Sequence, residues 1–191
     1  MTGERPHAIL IGASAGAVQA LLAILPALPA SFALPVLVVV HIPADRDNML
    51  VPLLQSKCRI TVKEAEDKEP IEGGVVYFAP SDYHLLVEAD HSLALSTDEH
   101  VNYSRPSIDV LFETAADAFG ADLVGVILTG ANHDGATGLR TVQAAGGVAI
   151  VQDRAEAYAT AMPDAALQAC PSAHVMSINA ITTYLTSLGT A

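Results

Sequence analysis

The run Val36-Leu37-Val38-Val39-Val40 has no polar residue at any position, so it cannot be a strand with one wet face and fits one covered on both sides. Ala8 to Ile11, Leu123 to Leu128 and Val148 to Val151 repeat the pattern. Helical segments separate these runs: Ala17 to Leu25, Gly135 to Ala145, and Pro163 to Ala169. After Pro106, Ile108, Leu111, Phe112, Ala115, Ala116 and Phe119 recur at helical spacing, and Gly120 ends the segment. Such alternation predicts an α/β fold, a doubly wound, mostly parallel sheet of about seven strands with helices on both faces, because parallel neighbours require crossover connections.

The remaining elements are weaker. Met49 to Lys57 is a candidate helix and Ile60 to Val62 a short strand, and the charged stretch Lys63 to Glu72 is expected to be an exposed connection. His84 to Glu88 and Leu93 to Leu95 predict an antiparallel hairpin inserted into the sheet or added to it, with Val75 to Ala79 strand-like before it. His174 to Met176 and Ile178 to Leu188 complete the chain as strand and helix. With no repeat, low-complexity tract or linker, residues 1–191 are expected to form one domain.

Charge narrows the partners. A formal net charge of −12 argues against nucleic acid and anionic lipid, whose binding rests on clustered Lys and Arg. A glutamate-rich protein substrate would need a local basic patch, for which Arg46, Arg105 and Arg154 are candidates. Cys58 and Cys170 form no disulfide framework, consistent with a cytoplasmic protein. Cys58, between Lys57 and Arg59, could be an activated thiol, although an inert one is commoner. No charged residue occurs between Arg5 and Asp45, and Ser31-Phe32-Ala33 resembles a signal-peptidase site. Pro26, Pro29 and Pro35 break that stretch into strand, turn, helix and strand, so no leader or membrane insertion is expected.

Ligand sites in doubly wound sheets lie at the carboxyl ends of the strands. There the first loop reads Gly12-Ala13-Ser14-Ala15-Gly16, a G-x-S-x-G turn that presents a serine hydroxyl between strand and helix. A dinucleotide turn is the alternative, but Ser14 replaces the middle glycine and the second strand ends in His41 where an acid would hold a ribose. The loop Thr129 to Gly135 carries Asp134 just before a helix, where capping is the plain alternative role. Ser14 as nucleophile, His41 as base and Asp134 as the residue orienting the base make the set that acyl transfer requires. Backbone N–H groups at Ala15 and Ala131 are candidate oxyanion donors, and Arg46 and Arg105 candidate substrate contacts.

The chain resembles the catalytic domain of CheB-type chemotaxis protein-glutamate methylesterases. The similarity is carried by Ile11-Gly12-Ala13-Ser14 with Gly16, His41-Ile42-Pro43, Ile60 to Glu66, and Val76 to Pro80. It continues through Arg105-Pro106-Ser107 with Asp109 to Phe112, Leu128-Thr129-Gly130 with Asp134-Gly135-Ala136, Gln152-Asp153 and Met162-Pro163. The resemblance implies hydrolysis of glutamate methyl esters on the cytoplasmic helices of methylated chemoreceptors, often with deamidation of glutamines and with no metal or cofactor expected, and it places the family's catalytic roles on Ser14, His41 and Asp134. Ala15, Ala17 and Ala131-Asn132-His133 depart from the family pattern, as does Asp45 to Leu50, which bears on oxyanion and substrate contacts. The family's usual receiver domain is not expected ahead of a first strand so close to Met1, so any equivalent control is expected from a separate regulatory protein in trans. A binding or adaptor protein of the same fold and an esterase for small-molecule esters are the competing readings.

Overall fold

The computed structural model describes residues 7–41 and 49–189. Seven strands make one sheet in the order β3-β4-β2-β1-β7-β8-β9. They are β1 (Ala8–Ala13), β2 (Val36–Val40), β3 (Thr61–Glu64), β4 (Val75–Phe78), β7 (Leu123–Ile127), β8 (Val148–Gln152) and β9 (His174–Met176). Every neighbouring pair is parallel. The expected hairpin, β5 (His84–Val87) and β6 (Leu93–Ser96), forms a separate two-stranded antiparallel sheet. The stretch expected as connection from Lys63 begins as strand, because Lys63 and Glu64 still pair with Tyr77 and Phe78. As a sheet-edge strand with exposed and half-exposed polar positions, β3 lacks the apolar signature of the central runs.

Strand pleating sends alternate residues to opposite faces. Ile9 and Ile11 of β1, with Val36 and Val38 of β2, enter a core beneath α1 (Ala17–Ile24), α2 (Leu50–Gln55) and α6 (Ile178–Leu188), among Leu21, Leu54 and Ile181. Ala8, Leu10, Leu37 and Val39 enter the other core, with Ile108, Phe112, Leu139 and Met162 from α3 (Ile108–Phe119), α4 (Ala136–Ala144) and α5 (Ala161–Ala169). All of β1, β2 and β7 is buried, which explains their unbroken apolar runs.

The strand order reverses at β1. The chain leaves it toward β2 on one side, and β7 lies on the other. That switch point opens a crevice at the carboxyl ends of β1 and β7, where Ser14 and the Asp134 loop emerge.

Candidate active site

Ser14 follows β1 directly. Its N–H donates to the Thr129 carbonyl at 2.9 Å, tying it to the end of β7, while its own carbonyl accepts from Ala17 as the helix begins. The turn needs Gly16, whose φ of 86° lies in the left-handed region and whose Cβ, if it had one, would sit 2.6 Å from Tyr158 Cβ. The Ser14 hydroxyl has no hydrogen-bond partner among the described residues.

His41 follows β2. The β1–β2 register pairs Ala13 with Val40, so the next step sets Ser14 opposite His41, and the His41 N–H still donates to Ala13 O at 3.2 Å. Adjacent strands run about 4.8 Å apart, which brings the two side chains to one locality. Alternation also puts both on the α3 face, since Leu10 and Gly12 precede Ser14 and Leu37 and Val39 precede His41 in that set.

Asp134 reaches the same spot from the loop after β7. Its Oδ2 lies 2.8 Å from His41 Nε2, with the carboxyl wholly buried and the imidazole 13% exposed. The carboxyl also accepts from Ile108 N–H at 2.6 Å, Ser107 Oγ and Asn102 Nδ2 at 2.8 Å, and Asp109 N–H at 3.2 Å. Burial alone would raise its pKa. The bonds from His41, Asn102, Ile108 and Ser107 outweigh burial and hold it below the ordinary carboxylate range. Asp134 is therefore the charged acceptor, and His41 Nε2 carries the donated proton.

The capping that stood as the alternative role for Asp134 falls on a different helix. Gly135 is the residue before α4, with no side-chain cap, whereas Asp134 caps α3 by accepting the first two N–H groups of that helix. Ser107, in the usual capping position of α3, instead turns its hydroxyl to Asp134. One carboxylate thus fixes the α3 terminus and faces the imidazole.

Three polar residues to which sequence reading gave no catalytic role complete the site, Asn132 having been noted only within a departure from the family pattern. Asn102, at φ 53°, sends Nδ2 to both Asp134 Oδ1 and Asp109 Oδ2, at 2.8 and 2.7 Å. Asn132 places Nδ2 3.2 Å from His41 Nδ1. Buried His84 accepts the Ser107 N–H on Nδ1 at 3.1 Å and so donates from Nε2 to the Glu99 carbonyl at 3.0 Å. Ser107 and Asp109 lay in motif blocks quoted above, without a role.

The other candidates divide. Neither the Ala15 nor the Ala131 N–H has an acceptor among the described residues. Arg105 is already engaged by Asp82, Thr97 O and Asp98 O, which makes it a brace between loops. Arg154 meets Asp164 at 3.3 Å, and Arg46 lies outside the described residues. Burial pushes the Cys58 thiol up, against the activated-thiol reading. A cleft of about 390 Å³ opens beside the Ser14 turn, lined by Gly16, Gln19, Thr129, Gln152, Glu156 and Tyr158 among others. Among the described residues no His, Cys, Asp and Glu cluster could hold a metal ion, and no helix is long and apolar enough to cross a membrane.

Comparison with known proteins points one way. The sequence model of the CheB methylesterase family matches residues 9–185. A Leptospira interrogans protein, provisionally named a protein-glutamate methylesterase/protein-glutamine glutaminase, is 49% identical over 92% of this chain and 91% of its own length. The protein-glutamate methylesterase/protein-glutamine glutaminase of Maricaulis maris is 34% identical over 91% of this chain, which spans only 44% of that longer protein. The crystal structure of the Thermotoga maritima CheB methylesterase catalytic domain superposes with a TM-score of 0.91 at 32% identity, covering 97% of this chain and 100% of that one.

Proposed function

Because the chain belongs to the CheB methylesterase family, we propose that it hydrolyses glutamate methyl esters on the cytoplasmic helices of methylated chemoreceptors, with Ser14, His41 and Asp134 as its catalytic unit. The observation that carries the reading is the 2.8 Å contact of His41 Nε2 with the buried Asp134 carboxylate at the strand end beside Ser14. The names of the relatives add deamidation of glutamine as an accompanying activity.

With Nε2 engaged by Asp134, Nδ1 takes the Ser14 proton as Oγ attacks the ester carbonyl, and for this the hydroxyl must displace the Asn132 amide that faces Nδ1 at 3.2 Å. The imidazolium then forms between Ser14 and a carboxylate already ionised to receive it. The N–H groups of Ala15 and Ala131, unpaired among the described residues, are the candidate donors to the oxyanion. Collapse of the tetrahedral intermediate passes the proton to the departing methoxide. Methanol leaves, and water repeats the sequence on the acyl-enzyme. Residues 1–191 act as one domain in the cytoplasm.

The test is methanol release from methylated receptor by wild type and Ser14→Ala. The proposal expects a loss of several orders of magnitude with unchanged folding. Wild type no faster than Ser14→Ala would favour an adaptor, and turnover confined to small esters would favour a small-molecule esterase.

A further inference from the structure

Asn132 lies between Ala131 and His133 in the loop after β7, and both ends of its amide are used. Oδ1 accepts the Asp134 N–H at 3.1 Å, and Nδ2 stands 3.2 Å from His41 Nδ1. The first bond settles the second. A flipped amide would set its NH2 against the Asp134 N–H, two donors facing each other, so the group next to the imidazole is NH2 and can only donate.

The ring nitrogens are then distinct. Nε2 donates to an ionised carboxylate and Nδ1 accepts from an amide, which fixes both the tautomer and the ring plane. We infer that Asn132 is a positioning residue for the base: its side chain, locked by the Asp134 backbone, holds His41 in the Nε2–H form and keeps Nδ1 an unprotonated acceptor until Ser14 delivers its proton. This rests on the reading of His41 as the base.

The loop thereby serves the imidazole twice, through the Asp134 carboxylate on one nitrogen and through the Asn132 amide on the other. A proton arriving at Nδ1 displaces the amide contact, since two donors cannot share that line. Asn132 thus marks Nδ1 as the accepting side of the resting ring, while Asp134 faces the imidazolium formed in the reaction.

Several titratable groups surround the pair among the described residues. Asp134 touches the ring, Asp109 stands behind it through Asn102, and Glu113 lies one turn along α3, raised first by its own burial and then by Asp109. His84 of β5 supports Ser107. The nearest of these are acidic, and among the described residues Asn132 is the donor that faces Nδ1.

The discriminating variant is Asn132→Asp. It keeps an oxygen for the Asp134 N–H, so a purely structural role leaves it close to wild type. The inference predicts that a carboxylate facing Nδ1 retains the proton there, lowering kcat at neutral pH by about tenfold or more, with recovery as pH rises and little change in KM. Asn132→Ala lowers kcat by a smaller factor without that alkaline recovery. Imidazole 15N NMR, with His41 assigned by loss of its signal in His41→Gln, reads the same point without turnover. Wild type shows one proton, on Nε2, and Asn132→Asp shows both nitrogens protonated at neutral pH. A wild-type proton on Nδ1, or an Asn132→Asp enzyme with wild-type kcat and pH profile, overturns the inference. Full activity in Ser14→Ala would overturn the proposed function instead, with the NMR result still deciding the role of Asn132.

Discussion

Asp134 and Asp109 share a single donor: Asn102 Nδ2 lies 2.8 Å from an oxygen of one and 2.7 Å from an oxygen of the other. Both carboxyls are buried, yet their pKa values move in opposite directions. Asp134 is held low by its donors against burial, whereas burial and the nearby charge of Asp134 push Asp109 up despite the Gly138 N–H. Removing the shared donor, as in Asn102→Leu, leaves two close acceptors with less between them. We expect a loss of about 1–3 kcal/mol, measured by urea unfolding. The deficit should shrink as pH falls and Asp109 takes a proton, which relieves the repulsion.

The depressed pKa of Asp134 is also a statement about stability. Its contribution is present above the ordinary aspartate range and is lost as pH falls through the lower folded value. Asp134→Asn cannot accept on both sides, and either orientation of the amide sets NH2 against donors from α3 or Asn102. Unfolding of this variant is expected to be easier by about 3–5 kcal/mol at neutral pH, with a smaller difference from wild type in acid. A variant equally stable at neutral pH would contradict the capping role assigned to this carboxylate.

Gly12 provides a test remote from the chemistry. A Cβ there would lie 2.5 Å from Ile108 Cγ2, and Ile108 is the residue whose N–H bonds Asp134. Gly12→Ala should push the start of α3 away from the sheet, costing about 1–3 kcal/mol, and turnover should fall although no reacting group has changed. Thermal melting with parallel methanol-release assays checks both effects. Wild-type values in each would show that α3 can shift without disturbing Asp134.

The central strands were legible in the sequence because burial on both faces leaves unbroken apolar runs, as in β2 and β7. At the sheet edge β3 blurred into its charged surroundings for the opposite reason. Ser14, His41 and Asp134 could be chosen because each closes a strand or opens a helix, positions that pattern reveals. The roles of Asn102 and Asn132 could not be read, although Asn132 fell within a noted departure from the family pattern, since a lone polar residue in a loop carries no periodicity and acquires its role only through neighbours far along the chain. The same is true of Asp134 as a cap. Its sequence neighbour is α4, but the helix it caps is α3, joined to it only through the tertiary fold.

Kinetics of the Ser14→Ala, His41→Gln and doubly substituted enzymes on methylated receptor address the catalytic unit most directly. Side chains that pass one proton between them lose nearly everything with the first substitution, so the double variant should release methanol about as slowly as either single one. Losses that multiply in the double variant, or a Ser14→Ala enzyme that retains the wild-type rate, would show that these residues do not act together.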